Sequence, residues 1–161
     1  MTRAFRYPLR ALASDYAGAV AGLALSFGLL LFVDLALPIS WITAGAGALF
    51  LVYFARTVCR QLTQIELDES GIRARGPAVL RLGASIRWAD LRLLRLDYYS
   101  TRRDGEGGWM QLRLGDAQRT IRIDSDLDGF TELVGAVAHA AAQRDLAIDA
   151  ATLSNLEAIQ R

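Results

Sequence analysis

The run Asp124-Ser125-Asp126-Leu127-Asp128-Gly129 is the sharpest chemical signal in the chain. Aspartates at positions 1, 3 and 5 with glycine at 6 open a calcium loop of the EF-hand kind. Such a loop closes on a bidentate glutamate at position 12; here that position is Gly135. The same acids suit the N-terminus of a helix, where carboxylates meet the positive end of the dipole. The sequence favours that reading. His139 is the only histidine and Cys59 the only cysteine. A zinc site of the usual Cys/His composition therefore cannot be built from this chain alone, and no intramolecular disulfide can form. All 18 Lys+Arg positions are arginine, which removes Schiff-base lysines, phosphate-loop lysines and Ser–Lys dyads. No catalytic residue, cofactor-binding residue or metal ligand emerges, and the chain is not expected to be an enzyme.

What remains is recognition through arginine. Arg73, Arg75, Arg87 and Arg95 alternate with apolar residues, and Arg102 and Arg103 stand in the polar stretch 101–108. These six are the candidate contacts to lipid headgroups or to a partner. Near an anionic leaflet each cation contributes about 1 kcal/mol. The interspersed Glu66, Asp68, Asp90 and Asp97 oppose that attraction. A net charge of +1 argues against a nucleic-acid binder, which carries a larger basic excess.

The elements that would carry these residues divide the chain near Arg60. Residues 16–55 form a 40-residue stretch with a single formal charge, Asp34. A spanning helix takes about 20 apolar residues, so the stretch is two spans. Pro38 cannot donate to a preceding helical turn and disfavours helix at Leu37. The expected helices are 15–36 and 39–56, a transmembrane hairpin within residues 1–60. A signal peptide would have an apolar core of about 7–15 residues, and here a second span follows instead. Arg3, Arg6, Arg10, Arg56 and Arg60 flank the spans and the turn has no cation, so both termini should be cytoplasmic. Tyr7, Tyr16, Tyr53 and Phe54 fall near the inner level and Trp41 near the outer one. Asp34, one turn before Pro38, is expected at the outer lip rather than in a proton relay. Gly18, Gly22 and Ser26 in the first helix, and Ala44 and Ala48 in the second, are the expected close-packing positions. They serve either the hairpin itself or a second membrane protein.

Beyond Arg60 the hydrophobic period becomes two, the pattern of half-buried strands. Strands are expected at 63–68, 72–75, 79–88 (one or two), 91–100, 109–114 and 119–123, with turns at Gly71, Gly76-Pro77 and Gly115-Asp116. Ile86 and Trp88 share one face of such a strand, which makes Trp88 a core anchor. Leu127, Phe130, Val134, Val137 and Ala141 then make one helical stripe, with Ser125 as its expected N-cap. His139 lies off that stripe, towards solvent. A short helix capped by Asp149 should run from 150 to 160 with Leu153, Leu156 and Ile159 inward.

The segments "IELDESGIRARG", "IRWADLRLLRLD", "MQLRLG" and "RTIRIDSDLDGFTELVGAV" resemble the bacterial pleckstrin-homology-like domains that follow one or two membrane helices. The resemblance covers roughly residues 62–143. It rests on Gly71-Ile72 after an acidic turn, on Ile86-x-Trp88-x-Asp90-Leu91, and on Asp126-x-x-x-Phe130 at the helix start. It implies a seven-stranded barrel-like sandwich capped by a C-terminal helix, and no enzyme. The fold class expected is therefore an α+β membrane protein. Its parts are a hairpin (1–60), a cytoplasmic PH-like antiparallel domain (61–145) and a short helical tail (146–161).

The expected function is a non-catalytic module of the bacterial inner membrane for protein interaction or complex assembly. The all-arginine, Ala/Leu/Gly-rich composition fits a GC-rich bacterial genome. The expected partners are the lipid bilayer and a membrane protein or a second copy, with no nucleic acid, small-molecule substrate or cofactor. The alternative is a regulator that reads anionic lipid through its arginines.

Overall fold

In the computed structural model, the structure describes residues 2–77, 83–100 and 108–160, with Gln160 described by its backbone alone. The chain forms two compact units. One is residues 8–62. The other joins residues 1–7 to 63–161, so the chain begins in the sheet unit, leaves it for the helices and returns.

The helical unit contains α1 (Leu9–Phe32) and α2 (Leu37–Leu62). At about 1.5 Å per residue these are about 36 and about 39 Å long, against about 30 Å of bilayer hydrocarbon. Both are long and apolar enough to cross a membrane, and only 17% and 11% of their most apolar windows is buried. The core helices of a soluble protein would be mostly covered. Each helix extends beyond its expected bounds at one end. α1 starts at Leu9 rather than near Asp15, and α2 ends at Leu62 rather than Arg56. Pro38 does not delay α2, because it occupies the first turn, where no intrahelical donor is needed. Residues 33–36 connect the helices, and Asp34 is exposed there.

The sheet unit has seven strands among the described residues. β1 (Arg3–Arg6), β2 (Gln64–Leu67), β3 (Gly71–Arg75) and β4 (Gly83–Arg87) form one antiparallel sheet in that order. β5 (Leu93–Tyr99), β6 (Trp109–Gly115) and β7 (Thr120–Asp124) form the second. Among the described residues the two sheets are not hydrogen-bonded into one barrel. α3 (Phe130–Ala142) and α4 (Ala150–Gln160) follow. The period-two segments became strands because one face of each is buried: Ile65, Ile72 and Ile86 in the first sheet, and Leu94, Leu96, Leu112, Leu114, Ile121 and Ile123 in the second. α3 adds Leu133, Val134, Val137 and Ala141 to that core.

β1 is a strand the sequence did not announce. Arg3 and Arg6, expected as membrane flanks, lie in this strand, and Arg6 pairs with Gln64 across the sheet. Tyr7 is buried, and its hydroxyl accepts from the Asp124 backbone N–H at 3.2 Å. The whole helical unit is thus the connection between two adjacent antiparallel strands. Four residues with one buried apolar side chain, Phe5, give too short an alternation to stand out.

Trp88 is a second correction. β4 ends at Arg87, and Trp88–Asp90 is a single 3-10 turn, so Trp88 does not share the Ile86 face. It is half-buried, and its Nε1 donates to the Asp68 carbonyl at 3.2 Å. Its role is to fasten the β2–β3 turn rather than to anchor the core. Ser125 does not cap α3. Gly129 holds that place at φ +76°, left-handed backbone that glycine adopts without steric cost. A Cβ there would also press on the Phe5 ring, at 2.8 Å. The expected strand segment 79–82 lies outside the described residues.

Candidate interaction surfaces

In the helical unit the close-packing positions are only partly those the spacing suggested. A Cβ on Gly22 would collide with the Phe50 ring. One on Gly47 would lie 3.2 Å from Ser26 Cβ, and Ser26 is buried. Ala19 is fully buried on the same side of α1. Gly18 faces open space, and Ala44 and Ala48 are exposed. The seam therefore runs through Ala19, Gly22 and Ser26 against Gly47 and Phe50. Spacing of four marks a row on a helix, but several rows here are small, and only the packed partner picks one.

The ends of these helices nearest the chain's return to the sheets carry a polar latch. The Tyr53 hydroxyl donates to Asp15 Oδ1 at 2.8 Å, and Arg60 Nη1 lies 3.9 Å from Asp15 Oδ2. The Tyr16 hydroxyl donates to Gln61, and the Tyr16 ring meets Phe54 edge-on at 5.6 Å. Thr43 and Thr57 return their hydroxyls to the carbonyls of Ile39 and Tyr53, one helical turn back. Each of these two hydroxyls is thereby satisfied within its own helix.

The four described candidate arginines fall on two different sheets. Arg73 and Arg75 project from the outer face of β3, and both reach one carboxylate, Glu66, at 3.9 and 3.1 Å. Arg6 is on the same face, donating to the neutral Gln64 side chain at 3.1 Å. Arg87 pairs with Asp90 at 2.7 Å. Arg95, on β5, lies 3.1 Å from Asp97 and 3.9 Å from Asp149. Asp97 also holds Arg113, whose Nε donates to it at 2.8 Å. That hydrogen bond raises the Arg113 pKa further above its ordinary value. Arg102 and Arg103 lie outside the described residues. So the four described candidates do not form one patch: Arg73 and Arg75 stand together, and Arg87 and Arg95 are each tied to a carboxylate. Strand alternation identified them as outward-facing but carried no information about which carboxylate each would meet.

The acids mostly build turns. Asp68 accepts from the Ser70 hydroxyl and from the backbone N–H groups of Ser70 and Gly71. Asp116 accepts from the N–H groups of Gln118 and Arg119, and Asp149 from that of Thr152. Each set of donors stabilises the ionised carboxyl, and all three pKa values are lowered. The calcium-like segment is the passage from β7 into α3. Asp124 Oδ1 accepts from Gln111, and Leu127 is a buried anchor. Among the described residues no three His, Cys, Asp or Glu side chains are placed to hold a metal ion. His139 is exposed and contacts Gln143.

α4 is where sequence reading missed most. Thr152, not Leu153, is its buried residue beside Leu156; Leu153 is 47% exposed. The Thr152 hydroxyl accepts from the Leu96 N–H at 3.2 Å, and Asn155 Nδ2 donates to the Leu96 carbonyl at 2.7 Å. Comparison of the chain with protein-family models, with curated proteins and with solved structures finds no match.

Proposed function

We propose that this protein is a non-catalytic, membrane-anchored module of the bacterial inner membrane, with a PH-like domain that serves protein interaction or complex assembly. The observation that carries the reading is the connection between β1 and β2. Neighbouring antiparallel strands, Arg6 beside Gln64, are joined by two helices of spanning length. A two-span excursion that starts and ends at adjacent backbone positions must return to the side it left. The anchor is thus built into a sheet, and the domain is held at the membrane surface, where tethering raises its effective concentration for membrane partners. Arg10, Arg56 and Arg60 at the helix ends support a cytoplasmic placement of that side. The strand sequence of four and then three, followed by a helix, supports the PH-like reading. The domain's carboxylates support a binding role, since Asp68, Asp97, Asp116 and Asp149 are engaged in turns and ion pairs that hold the fold.

Reporters placed in the turn at Asp34 and after Arg161 test the topology; only the first should report from outside, and matching signals would overturn it. Affinity purification of the full chain in mild detergent tests the assembly role, with a stoichiometric membrane partner or second copy expected.

A second reading, lipid sensing, draws on one observation. Arg73 and Arg75 share a single carboxylate, so the outer face of the first sheet keeps a positive excess. Arg73→Glu with Arg75→Glu in the full chain would then abolish retention of anionic lipid through purification; unchanged lipid content would remove this reading.

A further inference from the structure

β5 is an edge strand of its sheet, and its open edge is occupied by α4. Edge strands present unpaired N–H and C=O groups that template pairing with another chain. Here a hydroxyl accepts from Leu96 N–H and an amide donates to Leu96 C=O. These are the acceptor and donor that the facing residue of an added strand would supply. Thr152 is held in place by Asp149, which accepts from both its N–H and its hydroxyl. The helix thus satisfies one residue of the edge. By alternation along the strand, the backbone groups of Leu94 and Tyr98 face the same edge.

The sequence of β5, Leu93-Leu94-Arg95-Leu96-Asp97-Tyr98-Tyr99, is complementary to itself when reversed. Antiparallel pairing of two copies centred on Leu96 sets Arg95 opposite the other copy's Asp97, twice over. It also sets Leu94 opposite Tyr98 and Leu93 opposite Tyr99. Leu96, whose groups already point outward, becomes the central hydrogen-bonded pair. Opposite charges and aromatic–aliphatic pairs directly across strands are the favourable cross-strand contacts. A two-fold interface of this kind is closed, so it ends at a dimer and does not propagate.

We propose that the β5 edge is a self-association site for a second copy of this chain, and that α4 is the strap that closes it by mimicking the incoming strand. This deepens the assembly reading by naming the partner. Opening requires α4 to give up its two bonds to Leu96, the burial of Leu156 and the approach of Asp149 to Arg95, and the gain is a continuous six-stranded sheet across two copies.

The test is the oligomeric state of the full chain in detergent, by light scattering over a dilution series. Thr152→Val with Asn155→Leu removes both strap bonds and should raise the dimer fraction at least tenfold at a concentration where the parent is mostly monomer. In that background Arg95→Asp, which faces the partner's Asp97 with a like charge, should return it to monomer, while Arg95→Lys should keep the dimer. A thermal melt checks that each variant is folded; should the double variant not fold, Asn155→Ala alone, which frees only the Leu96 carbonyl, takes its place. A folded, unstrapped variant that stays monomeric overturns the proposal. So does a dimer indifferent to Arg95→Asp, which would place the contact elsewhere, for example in the helical unit. Either failure leaves the assembly reading standing if the purification above still yields a different membrane protein.

Discussion

In the sheet unit the large side chains point inward: Leu96, Leu112, Leu114, Ile123 and Leu133 are all at or below 1% exposure. In the helical unit the order is reversed. Leu31, Phe32, Trp41 and Leu49 are each more than 70% exposed, while the residues that meet are Ala19, Gly22, Ser26 and Gly47. Water explains the first pattern, because burying apolar surface away from it is the main force available. Helices of membrane-spanning length, set among lipid tails, would lack that force, and close backbone approach with dispersion contacts would take its place. Leucine is therefore a core residue in one unit and, Leu12 apart, largely an outer coat in the other. Polar groups differ in the same sense. The sheet unit spends them on turns and cross-strand ion pairs, and the helices turn theirs back onto their own backbone or gather them at the polar latch.

The largest test of this contrast concerns the six residues that belong to the sheet unit but precede the helices. Deleting residues 2–7 removes β1, bares the β2 edge and empties the places of Phe5 and Tyr7. The sheet unit should lose its cooperative unfolding transition and become protease-sensitive, while membrane insertion persists. An unchanged melt would show that β1 is dispensable. By the same logic a fragment starting near residue 61 is incomplete and is a poor surrogate for the domain.

Leucine truncations should separate the units next. Leu112→Ala, at 0% exposure, should cost about 2–5 kcal/mol, as core leucines do. Leu49→Ala, at 73% exposure, should stay within about 0.5 kcal/mol, as surface changes do. Both are readable by denaturant or thermal unfolding in detergent. Comparable losses would mean that Leu49 is buried in a partner.

Glycines should show the reverse ranking. Gly22→Leu forces a side chain into Phe50 and should cost about 1–3 kcal/mol, the usual penalty of overpacking. Gly18→Leu enters open space and should change neither abundance nor protease resistance. If Gly18→Leu alone abolishes a co-purifying partner, the outward small-residue row is an interface in its own right.

The smallest effect is that of acid, and it should fall on the sheet unit. Asp68, Asp116 and Asp149 have folded pKa values below the ordinary aspartate value of 3.8. A carboxyl of this kind contributes its full stability above the unfolded pKa and loses it as pH falls through the folded one. Stability should therefore hold down to about pH 4 and decline below it, with the decline reduced in Asp68→Asn, Asp116→Asn and Asp149→Asn. A pH-independent midpoint between about pH 5 and pH 2.5 would show that these turn bonds contribute nothing net.

By itself, the sequence determined what periodicity and length can carry. Forty nearly uncharged residues dictate two helices, and the change of period from 3.6 to 2 after Arg60 dictates strands with Ile72, Leu94, Leu96 and Leu112 on buried faces. The α3 stripe and the start of α4 at Ala150 followed from the same local rules. Tertiary structure decided everything that depends on a distant partner. The pairing of β1 with β2, whose partners Arg6 and Gln64 are 58 residues apart in the chain, leaves no local mark, because a four-residue strand holds too few alternations to distinguish it from a flank. Which small row of α1 packs was settled by Phe50 and Gly47 on the opposing helix. Thr152 and Asn155, polar residues on a short helix, became strap residues only because an unpaired Leu96 N–H and C=O lay opposite them. A side chain's hydrophobicity is a property of one residue; a hydrogen bond needs two, and the second is supplied by the fold.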